Sequence, residues 1–225
     1  MCGRYAFFSP AEAVKRTFAL DDFPAMEPRY NIAPTQPVPV LREIEPGRRE
    51  VAMLHWGLIP SWAREKSVGN RMINARAETL AERPAFRVAF RRRRCVVLAD
   101  GWYEWQAVAS GKQPWFIHSR DGAPMGLAAL WETWRDPAGG EPVESCAIVT
   151  TEALGPLADV HHRMPAVLPA AQLGPWLDPR RQDVAELSGI LGPRDPAAFS
   201  ARPVGRRVND PRNQGAELIE AAAGA

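Results

Sequence analysis

Disulfide frameworks, lysine and long apolar runs are all scarce in this chain of 225 residues. Its three cysteines, Cys2, Cys95 and Cys146, are odd in number and scattered, with no CxxC and no Cys/His ligand spacing. That pattern excludes a disulfide scaffold and a zinc site and is the pattern of a reduced, cytosolic protein. No apolar run approaches the ~18 residues that a membrane-spanning helix requires. The opening MCGRYAFFSP lacks the basic start and apolar stretch of a secretory signal. A cytoplasmic protein is therefore expected, and no metal or organic cofactor is indicated. Internal repeats and low-complexity linkers are also missing, and one domain over residues 1–225 is expected, on a prior of roughly 100–200 residues per domain. Hydrophobic residues at 46% and charged residues at 24% are those of an ordinary globular protein that builds its own core.

What the chain has in quantity is arginine. Lys15, Lys66 and Lys112 are the three lysines among 28 basic residues, which leaves 28 − 3 = 25 arginines. Net charge is only +2, but residues 76–94 hold seven arginines against two glutamates, a local excess of 7 − 2 = +5. The planar guanidinium fork suits bidentate contact with phosphate, so the run points to a polyanion-binding face. An Ala/Arg/Pro/Gly-rich chain also carries such a run with no ligand at all.

Period-2 and apolar patterning predicts strands over residues 48–56, 95–100, 102–106, 115–119, 125–133 and 143–150. Cys95 and Cys146 lie in two of these runs and read as buried strand residues. The segment Ser9-Pro10-Ala11-Glu12 reads as a capping box with proline at the first helical position, starting a helix to about Leu20. Pro84 starts another, with Phe86, Ala89 and Phe90 on one face. Residues 152–160, 169–177 and 183–191 are further short helices, and residues 21–49 read as proline-rich and irregular. The fold class expected is α+β, a single domain with a mainly antiparallel sheet or barrel-like core flanked by short helices.

Cys2 directly follows the initiator methionine. Removal of Met1 would give Cys2 a free α-amine, titrating near ~7.7–8.0, beside a thiol near ~8.5. That 1,2-aminothiol can form an imine with an aldehyde and close on it as a five-membered thiazolidine. The plain alternative is an accidental cysteine at a frayed terminus. Three other segments supply polar groups. Asn74 and Arg76 are two residues apart and share one side if extended. Glu104 stands between aromatics in GWYEW, where desolvation would raise its pKa and make it a proton donor. His161, in HHRMP, can shuttle protons near neutral pH. Singly, Asn74 reads equally as a helix cap, Glu104 as a surface carboxylate and His161 as a structural residue. Together they are the parts for imine chemistry at an aldehyde.

MCGRYA at residues 1–6, RYNIAPTQ at 29–36, WGLIPSW at 56–62, INARAET at 73–79, ADGWYEW at 99–105, HHRMP at 161–165 and NQGAELI at 213–219 resemble, in this order, the SRAP-domain family, the SOS response-associated peptidases or abasic site processing proteins. The resemblance spans residues 1–219; residues 66–69 and 178–195 are not distinctive. It implies a shield for abasic sites in single-stranded DNA, with Cys2 linked covalently to the ring-opened deoxyribose. It further implies that Asn74 holds the reacting groups, that Glu104 assists proton transfer and crosslink reversal, and that His161 acts as acid or base, including in strand-cleaving β-elimination. Arg4, Arg76, Arg83 and Arg163 are the implied phosphate contacts, Trp62 a base-stacking platform and Thr150 a further DNA contact, whereas Trp102 and Trp105 read as core or pocket wall. A monomer at the nucleoid is expected, with replication partners left open. Two rivals remain: a thiol (auto)peptidase using Cys2 with His161 as base, and a non-covalent reader of single-stranded or modified DNA.

Overall fold

The alternating segment at residues 48–56 and the apolar run after Arg94 become the walls of a small barrel, in a computed structural model that describes residues 2–192 and 194–222. In chain order the strands are β1 (Tyr5–Phe7), β2 (Arg29–Ile32), β3 (Pro37–Glu45), β4 (Arg48–Trp56), β5 (Asn74–Arg76), β6 (Arg94–Ala99), β7 (Gly101–Val108), β8 (Gly111–Ser119), β9 (Met125–Trp134), β10 (Val143–Glu152), β11 (Arg163–Pro165), β12 (Val167–Leu168) and β13 (Phe199–Pro203). The α-helices are α1 (Ala11–Phe18), α2 (Arg87–Arg92), α3 (Pro156–Val160), α4 (Ala170–Leu177) and α5 (Val184–Ile190).

Strands β4, β3, β6, β9 and β10 are hydrogen-bonded in that order, and β10 returns to β4 to close the ring. All these pairs are antiparallel except the closing one, a short parallel contact of Ser145 with His55 and Cys146 with Trp56. A second, antiparallel sheet runs β13-β8-β7-β1-β2. The mainly antiparallel, barrel-like core with short flanking helices is thus as expected. Cys95 and Cys146 are buried in β6 and β10.

One residue joins the two sheets. Between β6 and β7, Asp100 turns the chain from barrel to second sheet and accepts hydrogen bonds from the backbone N–H of Phe8 (2.5 Å) and Ser9 (2.7 Å) and from the Ser9 hydroxyl. Gly101 follows because no side chain fits: a Cβ there would lie 2.3 Å from the ring of Phe116. The two sheets share one continuous core that runs from Cys2 and Tyr5 through Val96, Leu127 and Ile148 to Phe199.

Three local expectations are corrected. Residues 21–49 are not irregular throughout, since they hold β2 and β3. Pro37 and Pro39 are tolerated in β3 because β6 pairs only from Val40 onward, so their missing N–H groups face an unpaired edge. The capping box does not form: Ser9 bonds Asp100, Pro10 takes the N-cap position of α1, and no side chain caps it. The helix expected over residues 152–160 starts only at Pro156, because Glu152 extends β10 to pair with Arg163.

Candidate functional site

Antiparallel pairing of β1 with β7 sets Tyr5 against Trp102, and the Tyr103 N–H donates to the Arg4 carbonyl at 2.9 Å. Carried two residues toward the start of the chain, that register lays Cys2 alongside the Glu104 end of β7. Cys2 is accordingly not at a frayed end; it is fully buried in the core. Met1, whose removal the aminothiol chemistry requires, lies outside the described residues.

Strand β5 runs parallel to β10, with Asn74 opposite Ile148 and Arg76 opposite Thr150. The buried Ala75 alternates with them, so Asn74 and Arg76 share the outward face. Asn74 Nδ2 donates to the Cys2 carbonyl at 2.8 Å. Its Oδ1 is buried and has no hydrogen-bond partner among the described residues, an acceptor set in the site and left for an incoming donor.

Glu104 is buried, but not by the aromatics adjacent to it in sequence. Tyr103 belongs to a separate apolar cluster with Phe116, Val204 and Val208 against which Trp105 packs, while Trp102, on the Glu104 face, packs into the main core with Cys2. The period of two therefore turns Glu104 into the space between the sheets. Burial pushes its carboxyl up to about 7, which poises it to give or take a proton at neutral pH. His161 ends α3, the helix that Gln106 of β7 ties down through a 3.0 Å bond to the Asp159 carbonyl. Its Nδ1 accepts from the Arg163 N–H at 3.0 Å and lies 4.0 Å from Glu104 Oε2. Burial lowers its pKa and favours the neutral imidazole. Burial, reinforced by the charge of Glu104, pushes the Cys2 thiol well up.

Beside this cluster a groove of about 380 Å³ is lined by Trp62, Asn74, Arg76 and Arg83, together with Arg71, Thr79 and Phe86. Four residues singled out in the sequence, two of them from INARAET, therefore meet in one cleft. Trp62 is 62% exposed there. On its other side Arg76 borders a second hollow, of about 440 Å³, with His162, Arg163 and Glu152.

The remaining arginines of the sequence reading turn inward. Arg163 is buried and forms a bidentate pair with Glu78 (2.7 and 3.0 Å) while donating to the Thr150 carbonyl at 2.6 Å. Thr150 itself is fully buried. Arg4 donates to Asn31 Oδ1 and to the Val208 carbonyl, both at 2.7 Å. Asn31 also donates to the carbonyls of Asp210 and Asn213 at 2.9 and 3.0 Å and exchanges two bonds with Gln214. RYNIAPTQ and NQGAELI thus act as a clasp between distant parts of the chain. Sequence reasoning missed Arg71, which no motif marked, and Glu78, whose place inside INARAET was the available signal.

An amine at residue 2 would here meet a hydrogen-bonding amide, a carboxyl titrating near neutrality and an imidazole, a set competent for imine formation. Among the described residues no three His, Cys, Asp or Glu side chains gather as a metal site. Nor, among the described residues, is any helix long and apolar enough to cross a membrane. A family model described as SOS response associated peptidase (SRAP) matches residues 1–211. "Abasic site processing protein YoqW" of Bacillus subtilis is 39% identical over 98% of this chain and 99% of its own length. "Abasic site processing protein YedK" of Escherichia coli is 35% identical over 98% of this chain and 99% of its own. Among solved structures, a protein from Bacteroides thetaiotaomicron superposes with a TM-score of 0.83 at 25% identity, over 98% of this chain and all of that one.

Proposed function

Because the chain belongs to the SRAP family, we propose that it processes abasic sites in single-stranded DNA by covalent capture through Cys2 after loss of Met1. The ring-opened abasic deoxyribose carries an aldehyde that an intact nucleotide lacks, so the lesion itself supplies selectivity. The Cys2 α-amine adds to the aldehyde carbon, the carbinolamine loses water, and the thiol sulfur closes on the resulting iminium carbon. The S–H proton passes to a base, and the net change is one water released.

The observation that carries this reading is the convergence of Asn74, Glu104 and His161 on Cys2 at the edge of an arginine-lined groove. Asn74 anchors the Cys2 carbonyl and so aims the aminothiol. Glu104, with its carboxyl near pH 7, shuttles the protons of carbinolamine collapse, ring closure and reversal. His161 serves as the second acid or base, and from the captured sugar it could take the proton whose loss cleaves the strand by β-elimination. Trp62 stacks on a neighbouring base, and Arg76 and Arg83 hold flanking phosphates without reading sequence. Arg4, Arg163 and Thr150 support the site from behind, Arg163 by holding the wall next to Arg76. The protein acts as a monomeric single domain on DNA in the cytoplasm.

What favours capture over the peptidase reading is the α-amine of Cys2, which a thiol peptidase does not need. Ring closure on an iminium needs a base to receive the thiol proton, and Glu104 is that base.

Intact-mass spectrometry of the mature protein mixed with an abasic single-stranded oligomer tests the proposal. The expected species weighs the sum of the two less one water and disappears with Cys2→Ser. Peptide hydrolysis with no adduct would make the chain a peptidase. Equal, salt-reversible binding of abasic and intact strands would make it a non-covalent reader.

A further inference from the structure

Several solvent-facing arginines elsewhere in the molecule are matched with carboxylates. Arg180 pairs with Asp178 at 2.9 Å, Arg212 with Asp210 at 2.6 Å, Arg181 with Glu186 at 3.6 Å and Arg207 with Glu217 at 3.5 Å. Around α2 the pattern is reversed. Its buried face is Ala89 and Phe90, and Arg87 and Arg91 stand exposed, four residues apart and so on one side of the helix. The Arg87 N–H donates to the Arg83 carbonyl at 2.9 Å, so the turn that leads into α2 begins at the residue that lines the groove. Among the described residues no carboxylate lies within 4.0 Å of the guanidinium of Arg83, Arg87 or Arg91. Like charges one turn apart repel, so the row does nothing for the fold. By contrast Arg93 and Arg94 are absorbed by the protein, Arg93 by Glu132 at 2.5 Å and Arg94 by the carbonyls of Phe90, Arg91, Trp176 and Asp178, while Arg92 stays exposed.

We propose that Arg83, Arg87 and Arg91 form a track for the phosphodiester backbone, which carries the strand out of the groove and along α2. The row is continuous with the groove, its charge complements phosphate, and the ~6 Å step from Arg87 to Arg91 (four residues of helix) can meet successive phosphates of an unstacked strand. Each guanidinium offers the forked donor geometry that phosphate oxygens accept. The inference rests on the single-stranded DNA reading above and extends it. The protein grips more strand than the capture chemistry uses, and on one side of the lesion only.

Salt dependence of binding is the test, using full-length protein, labelled unmodified single strands of about 4 and about 16 nucleotides, and the double variant Arg87→Ala/Arg91→Ala. Losing two phosphate contacts should flatten the slope of log K against log salt by about 1.4 on the long strand. The short strand should show no change, and wild type and variant should form adduct alike with a short abasic oligomer. A slope on the long strand equal to wild type would overturn the track. So would an equal loss on both strands, which would mark a diffuse field instead. Should wild type form no adduct while the variant still loses slope, capture falls and the track stands.

Discussion

All three cysteines of this chain are fully buried, yet they occupy unlike places. Cys95 and Cys146 face apolar side chains on neighbouring barrel strands, and burial alone pushes Cys146 up to about 12. Cys2 belongs to the same core but touches its polar edge, where Asn74 bonds its carbonyl and the charge of Glu104 adds to burial. Burial therefore does not sort a reactive thiol from an inert one. What separates Cys2 is its neighbour groups and, on the proposed loss of Met1, the amine on the same residue. The arginines repeat the lesson: Arg4 and Arg163 satisfy the protein, while Arg76 and Arg83 face a groove.

The largest expected effect breaks the cysteine comparison in two. Cys2→Ser should abolish the abasic adduct and, because Cys2 is equally buried, cost about 1–3 kcal/mol of stability as well. Cys146→Ser should keep the adduct and lose about 1–3 kcal/mol of stability, the cost of an unpaired hydroxyl in the barrel. Adduct yield and a denaturant melt on both variants check this, and adduct loss in Cys146→Ser would erase the distinction.

Next comes Glu104. Glu104→Gln should slow capture or reversal by about 100-fold or more, in the range of a lost general acid–base, and should remove any inflection of the rate near pH 7. Stability should move the other way. Because burial raises the carboxyl from 4.5 to about 7, its favourable protonated form is fully present below pH 4.5 and is lost as pH rises through 7. Glu104→Gln should gain on wild type across that interval, by up to about 3 kcal/mol. Melts at pH 5 and pH 8 read the difference, and a pH-independent gap would place Glu104 in solvent.

The smallest effects sharpen the contrast between arginines. Arg163→Ala should cost about 1–3 kcal/mol of stability by stranding the buried Thr150 carbonyl. Arg76→Ala should change stability by less than about 0.5 kcal/mol, as an exposed substitution does, and should flatten the salt dependence of strand binding by about 0.7. Urea melts and binding titrations on the pair would show whether the two roles are exchanged.

Much of the site was legible because its residues sit in short motifs whose chemistry is local. The amine and thiol at Cys2, the shared side of Asn74 and Arg76 in an extended segment, and the proton-transfer groups all follow from residue type and spacing. The strands at residues 48–56 and 143–150 were legible for the same reason, since alternation repeats at short range. Other features were not. Nothing local says that Ser9 would leave its helix to bond Asp100, because the competing partner is 91 residues away. Pro37 and Pro39 looked like breakers until their strand edge proved unpaired. The protein partners of Arg4 and Arg163 could not be read either, because guanidinium chemistry is the same toward a carboxylate, a carbonyl or a phosphate.

By itself, then, the order of residues determined which chemical groups exist and which elements form, because side-chain reactivity and backbone periodicity act over a few residues. Tertiary structure alone decided where those groups meet. The β1–β7 register sets Cys2 beside Glu104, the β5–β10 pairing brings Asn74 to its carbonyl, and α3 delivers His161. Those contacts join segments far apart in sequence, and only the burial they create moves the Glu104 carboxyl toward neutrality.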